Sequence, residues 1–327
     1  MKIIFKKSLS QEEEIAYDRF VATARHAHYT QSRTWIRMAT CYGFTSVYHF
    51  MVYQERGVIG AGLVLRRCIG GIPLPMAWIH RGPVVEDWGH FKTVLDALIA
   101  TTQRHGVMHL SLMPYGFGED VEKVEETLRS FRFSHRFTYD GSYVRTLHVP
   151  ISAIQSDDDM LMRMNKKARV VVQQARRMGI TVRQGDPSDV QHLDAFYCSM
   201  MGLQGKQSRA KAWFQALYHV MALRSSTALF VAEEKRELVS VIVVVQHNTT
   251  STFIRGASTP LSKPYTKMAL PLFHAMCWAR DRGCTTFDLG GVPLAEDPDS
   301  KRRQIAFFKR QFSNRETPLV REHVRWF

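Results

Sequence analysis

The chain has 327 residues, 44 Lys and Arg against 30 Asp and Glu, and 45% hydrophobic residues. That length suits two domains of about 150 residues each, and so apolar a composition excludes a disordered chain. The longest aliphatic run, 239–245 with one serine in it, is far shorter than the roughly 18–20 residues that cross a bilayer.

The start, Met1-Lys2-Ile3-Ile4-Phe5-Lys6-Lys7, turns polar before a secretory segment could form. Cys41, Cys68, Cys198, Cys277 and Cys284 are scattered with no Cys-x-x-Cys pair, which suggests neither a disulfide frame nor a zinc ribbon. The expectation is a cytoplasmic protein with no transmembrane segment, metal or cofactor. A net charge of +14 speaks of partners and not of fold. It fits a phosphate-rich partner: a nucleic acid, an anionic membrane face or a nucleotide-linked substrate. A generically basic proteome is the plainer explanation.

Strand-like and helix-like periods alternate along the chain, which predicts an α/β or α+β fold. A hairpin-like segment over 58–67 leads to a strand at 76–80, which ends in Arg81-Gly82-Pro83. A helix follows over 89–104, then Gly106 and a strand at 107–113. The run Gly57-Val58-Ile59-Gly60-Ala61-Gly62 looks like a nucleotide loop but lies between strand-like runs, so a hairpin turn is predicted. A linker over 151–159 enters a helix through Ser156-Asp157-Asp158-Asp159, good N-capping chemistry.

One helix is predicted over 159–178, with Leu161, Met164, Ala168, Val171, Ala175 and Met178 on its apolar face. Its other face carries six cations, Arg163, Lys166, Lys167, Arg169, Arg176 and Arg177, with no acid among them until past Gly179. Exposed helix faces usually mix signs, so this one suggests phosphate contact. Strands at 228–232, 238–246 and 252–254 then lead to a turn at Arg255-Gly256-Ala257-Ser258, a helix over 268–282, Gly283 and a strand at 285–289. The element order of the first half thus occurs twice. Gly106 and Gly283 suit left-handed helix ends.

Several chemistries have no signature here. There is no His-Glu-x-x-His, Gly-x-Ser-x-Gly or P-loop, and His26 and His28 read as surface histidines. The strand–helix order resembles the GNAT acetyltransferase fold, but that family's pyrophosphate loop has no good match.

Phe287-Asp288-Leu289-Gly290-Gly291, with Phe308-Lys309-Arg310-Gln311-Phe312 after it, resembles the Fem family of aminoacyl-tRNA-dependent peptidyltransferases. Gln31-Ser32-Arg33-Thr34-Trp35, Arg81-Gly82-Pro83-Val84, Arg176-Arg177-Met178-Gly179 and Gly256-Ala257-Ser258 occur in the family's order. The resemblance implies two tandem GNAT-like domains, 1–150 and 151–314, with an inter-domain substrate groove and residues 315–327 returning to the first. It implies a monomer that moves an amino acid from aminoacyl-tRNA to the primary amine of a peptide or nucleotide-linked peptide acceptor, with peripheral contact to an anionic membrane face.

Lys309 matches the family lysine that faces the tRNA acceptor end and supports the tetrahedral intermediate. Phe308, Arg302, Arg303 and Arg310 are the further tRNA-binding candidates. Arg37, Trp35, Met113, Lys167, Arg169 and Arg255 are the acceptor-binding candidates. Asp288, Gly290 and Gly291 would shape the groove. Met113 stands where the family usually has Asp, and Arg255 where it often has an aromatic residue; both bear on which acceptor is used. An acyl-CoA-dependent N-acyltransferase and a non-enzymatic basic RNA-binding module are the alternatives.

Overall fold

The computed structural model describes all residues except 56, 137–143, 204–210, 224–225, 260–263, 295–296 and 298. Runs of β-branched and aromatic residues become strands, as pleated, half-buried surfaces favour them. The elements up to the midpoint are β1 (Lys2–Lys6), α1 (Gln11–Thr23), α2 (Ile36–Thr40), β2 (Ser46–Gln54), β3 (Gly57–Arg66), β4 (Cys68–Ile69), β5 (Ile72–Pro73), β6 (Met76–His80), β7 (Val84–Val85), α3 (Phe91–Arg104), β8 (His109–Met113), α4 (Asp120–Ser130) and β9 (Ser134–His135). After them come β10 (Arg145–Pro150), α5 (Asp157–Arg163), α6 (Lys166–Arg177), β11 (Ile180–Gly185), α7 (Val190–Gly202), α8 (Lys211–Leu223), β12 (Thr227–Glu234), β13 (Glu237–His247), β14 (Thr250–Ser258), α9 (Pro264–Asp281), β15 (Thr286–Val292), α10 (Ser300–Arg310), β16 (Glu316–Pro318) and β17 (His323–Trp326).

The chain divides into two compact units. One is Met1–Arg145 with Thr317–Phe327, the other Thr146–Glu316. The first sheet runs β1-β2-β3-β6-β8-β17-β9, the second β11-β12-β13-β14-β15-β10-β16. In each, an antiparallel meander ends in one parallel pair, β6 with β8 and β14 with β15, joined by the long helices α3 and α9. In each, the next strand comes from elsewhere in the chain: β17 pairs with β8, and β10 lies beside β15. Gly106 and Gly283 end the long helices at φ +72° and +76°, conformations that cost glycine nothing.

Four local expectations are corrected. His26 and His28, 5% and 9% exposed, are buried and not surface histidines. The helix predicted over 159–178 is two helices. Met164 (ψ 152°) and Asn165 (ψ 158°) are extended, and the Asn165 side chain accepts the Ala168 N–H to start α6. Valine 172 is therefore buried on α6, and Met178, 39% exposed, is not. The run from Gly57 is mainly strand, not turn: a Cβ on Gly60 would strike Val94, so this glycine lets α3 lie close on β3. Arg255-Gly256-Ala257-Ser258 is the end of β14 and not a turn, with a bulge at the Val243/Val244 register shift.

Each unit has its own core. Phe50, Ile79, Phe91, Leu95 and Leu110 fill the first, and Ile242, Phe273, Phe287 and Leu289 the second. Each such side chain contributes about 1.5–3 kcal/mol through burial. Among the described residues no helix is long and apolar enough to cross a membrane.

Candidate active site

In the second unit, β14 and β15 pair in parallel through Thr250 with Thr286, Ser251 with Phe287 and Thr252 with Asp288. Beyond those residues the strands run on to Ser258 and Val292 without pairing to each other, while β14 stays paired with β13. Helix α10 delivers Lys309 to that place. The Asp299 side chain caps the helix by accepting the Lys301 and Arg302 N–H groups at 2.9 and 3.1 Å. Ala306 and Lys309, three apart, lie on its buried face, and Phe312 is buried just beyond its end.

Lys309 is 8% exposed, and its Nζ donates to the Gly291 carbonyl at 2.9 Å. Gly290 is left-handed at φ +80°. A Cβ there would lie 3.2 Å from the Lys309 Nζ and 3.3 Å from the Phe253 carbonyl, so only glycine lets the ammonium in. Burial lowers the Lys309 pKa to about 8, and the Asp288 carboxylate opposes that fall.

The Asp288 carboxylate is held firmly. Its Oδ1 accepts the Gly290 N–H at 2.7 Å and the Thr146 hydroxyl, and its Oδ2 lies 3.9 Å from the His148 Nε2. Burial holds His148 below the usual histidine range, so the ring is neutral at physiological pH. Thr146 and His148 escaped the sequence reading. They alternate with buried Leu147 and Val149 along β10, and that period-two pattern was their only signal.

The remaining basic candidates of α10 are occupied. Arg302 pairs with Asp297 at 3.3 Å and Asp299 at 3.4 Å, Arg303 donates to the Asp297 carbonyl, and Arg310 pairs with Glu316 at 2.7 Å. Phe308 is half-buried against the core with its ring edge-on to Phe312, whereas Phe307 is 52% exposed. The Lys167 Nζ lies over the Phe307 ring at 5.6 Å, and the Asn165 side-chain amide donates to the Arg310 carbonyl at 3.0 Å. Lys167 therefore sits beside α10. Arg169 reaches the Met162 carbonyl at 3.4 Å.

Arg255, on β14, lies over three rings: Trp213 at 4.1 Å, Tyr197 at 4.8 Å and Phe214 at 5.8 Å.

In the first unit, Gln31 is 1% exposed and ties three elements together. Its Oε1 accepts the Leu63 N–H at 2.8 Å, its Nε2 donates to the His80 carbonyl, and its own carbonyl accepts the Tyr17 hydroxyl at 2.8 Å. Arg33 grips Asp18 through two bonds, 3.0 and 2.7 Å, and Glu14 at 2.6 Å. The motif around Trp35 is thus a brace. Trp35 and Met113 are each 6% exposed and offer little surface to a ligand, whereas Arg37 is exposed.

The sequence between Gly256 and the start of α9 contains no glycine, and residues 260–263 there lie outside the described residues. The nearest glycine, Gly256, lies within β14 with Met268 and Ile242 filling the space at its Cα, and Thr259 accepts a 2.6 Å bond from Lys267.

The FemAB family model matches residues 9–233, and the acetyltransferase (GNAT) domain model matches residues 162–316. No curated protein matches the sequence. Among solved structures, FemX is similar over 100% of this chain and 98% of its own, with 17% identity and a TM-score of 0.84. A conserved protein of unknown function from Bacteroides thetaiotaomicron VPI-5482 is similar over 99% of both chains, with 11% identity and a TM-score of 0.64. L-PGS from Bacillus licheniformis is similar over 98% of this chain and 93% of its own, with 12% identity and a TM-score of 0.59.

Proposed function

We propose, because the chain belongs to the FemAB family, that it moves an amino acid from aminoacyl-tRNA to the primary amine of a peptide acceptor. The fold is two GNAT-like domains in tandem, and the protein is a transferase of the acyl or aminoacyl class.

One observation carries the finer reading. A buried ammonium, Lys309, stands with a single carbonyl partner among the described residues where two parallel strands stop pairing with each other. Acyl transfer from an ester needs a fixed positive donor where the carbonyl oxygen becomes an oxyanion. The acceptor amine adds its lone pair to the ester carbon, and Lys309 stabilises the negative oxygen so formed. Collapse breaks the bond to the ribose oxygen, which leaves with the proton the amine gives up, and an amide remains. Lys309 acts as a cation, so about nine-tenths of it is competent at pH 7 and the fraction falls through about 8.

Asp288 keeps the ammonium charged despite its burial, and Thr146 and the Gly290 N–H keep Asp288 in place. The exposed Phe307 and Lys167 pair offers a stacking surface and a phosphate contact to the tRNA end.

The test is transfer of labelled amino acid from mixed charged tRNAs to a panel of peptide amines, with products identified by mass. Transfer that RNase abolishes, and that Lys309→Met lowers by about 100-fold, supports the reading. A blank transfer assay, with acyl transfer from acetyl-CoA instead, would overturn it in favour of a CoA-dependent enzyme.

A further inference from the structure

We propose that Arg255 is an oxyanion receptor: its guanidinium, boxed by Trp213, Tyr197 and Phe214, takes a carboxylate or phosphate group of the acceptor. Identifying the ligand as the acceptor rests on the aminoacyl-transfer reading; the anion site itself does not.

The backbone aims the side chain. In β14, Phe253 pairs with Val244 and Arg255 with Val243, so Ile254 is an extra residue opposite no partner. In an unbroken strand, residues two apart share a face. The bulge cancels that rule. Phe253 packs on the core with Ile242 and Val244, against α9, and Arg255 turns to the opposite face, where α7 and α8 supply the rings.

The environment is that of a receptor. Trp213 and Phe214 are 5% and 3% exposed, and Arg255 is half-buried. Other arginines of this unit reach carboxylates: Arg183 bonds Asp189 twice at 2.8 Å, Arg280 lies 2.8 Å from Asp157, and Arg310 lies 2.7 Å from Glu316. Among the described residues Arg255 has only rings as side-chain partners; Arg176 shares that with one ring, Phe273 at 5.0 Å, but is exposed, whereas Arg255 is half-buried over three.

Stacking uses the flat faces of a guanidinium and leaves its in-plane N–H edge available. Arg255 is half-buried and none of its nitrogens is among the buried unpartnered atoms, so its N–H edge faces solvent, where a ligand can reach it. A bidentate oxyanion would meet that edge with two charge-assisted hydrogen bonds. A lysine at this position could provide neither the stack nor the fork.

The experiment measures binding without tRNA. Thermal midpoints of wild type, Arg255→Lys and Arg255→Met are followed against acetate, inorganic phosphate, uridine diphosphate and a tripeptide panel. Each tripeptide is offered with a free carboxylate and as its C-terminal amide. The expected result is stabilisation of the wild type by at least one oxyanion probe, with both variants needing about tenfold or more of that probe for the same shift.

A carboxylate-over-amide preference identifies a peptide terminus, and a preference for uridine diphosphate identifies a phosphate. Equal shifts in all three proteins, or none in the wild type, would overturn the proposal. Anion binding that depends on Arg255, with no transfer from charged tRNA, would instead fault only the aminoacyl-transfer reading. Transfer with an acceptor KM unmoved in both variants would fault only the role of Arg255.

Discussion

Replacing Lys309 by methionine is expected to stabilise the protein at neutral pH while it removes turnover. Burial brings the Lys309 pKa to about 8, against 10.5 for an exposed lysine. A lowered value in the folded state means that the unfolded chain binds the proton more tightly. The penalty on folding is therefore fully present below about 8 and is relieved as pH rises from there to 10.5. The two values give about 3 kcal/mol against the folded state at pH 7 and less than about 1 kcal/mol at pH 10.

Methionine has no proton to place and so escapes that penalty. It also forfeits the bond to the Gly291 carbonyl, but the loss of a neutral acceptor's partner has no pH dependence of its own. The slope, not the absolute value, is the diagnostic quantity. Urea unfolding of both proteins at half-unit steps between pH 7 and pH 10 measures it. The stability of the variant relative to wild type should fall by about 2–3 kcal/mol across that range. A flat difference would refute the claim that Lys309 is buried as a strained cation, and the proposed alkaline limit on activity with it.

Asp288→Asn preserves shape but removes the charge that props up the Lys309 pKa. The alkaline limb of the pH–rate profile should move below about 8, and an unmoved limb would count against the pairing. Gly290→Ala forces a left-handed alanine beside the Lys309 ammonium; a stability loss of about 1–2 kcal/mol with a larger loss of turnover is expected from urea midpoints and rates. Phe307→Ala should weaken charged-tRNA binding and leave stability within about 0.5 kcal/mol, while Phe308→Ala should cost about 2 kcal/mol or more. Reversed phenotypes would return the stacking role to Phe308. Lys167→Gln should lower the salt slope of tRNA binding by about one. Arg302→Gln should leave that slope unchanged, since Asp297 and Asp299 already hold its charge.

What the sequence disclosed follows the range of each interaction. The repeated order of strand, long helix, glycine and strand was visible because periodicity and helix-end chemistry are local properties. The break between α5 and α6 was visible in principle, since Asn165 is a good N-cap, but an apolar period that continued across it hid the change of direction. The bulge in β14 left no local mark. Ile254 differs from its neighbours only in having no partner on β13, and that is decided by register.

The site shows the same division more sharply. Asp288, Gly290, Gly291 and Lys309 lie within one short stretch and could be picked out by motif. Thr146 could not, because its bond to Asp288 spans 142 residues. Lys309 also carried an overlooked hint: with Ala306 and Phe312 it falls at a spacing of three, where a helix buries its side chains. A lysine at a core position is costly to bury, and such positions are where function is to be sought.

The net charge of +14 was a poorer guide than it first appears, because the sum does not distinguish a paired cation from an available one. Arg302, Arg303 and Arg310 belong to the helix that carries Lys309, yet each is engaged by Asp297 or Glu316. Their work is to fix α10, and through it the ammonium, in place. The exposed lysine next to that helix, Lys167, lies on α6 and comes to Phe307 only through the fold. Arg255 is the inverse case, a cation whose partners are rings, where the absence of a carboxylate among the described residues is what makes its charge usable. Charge selects a class of ligand. Which cations meet it is settled by which of them the protein has left without an acid.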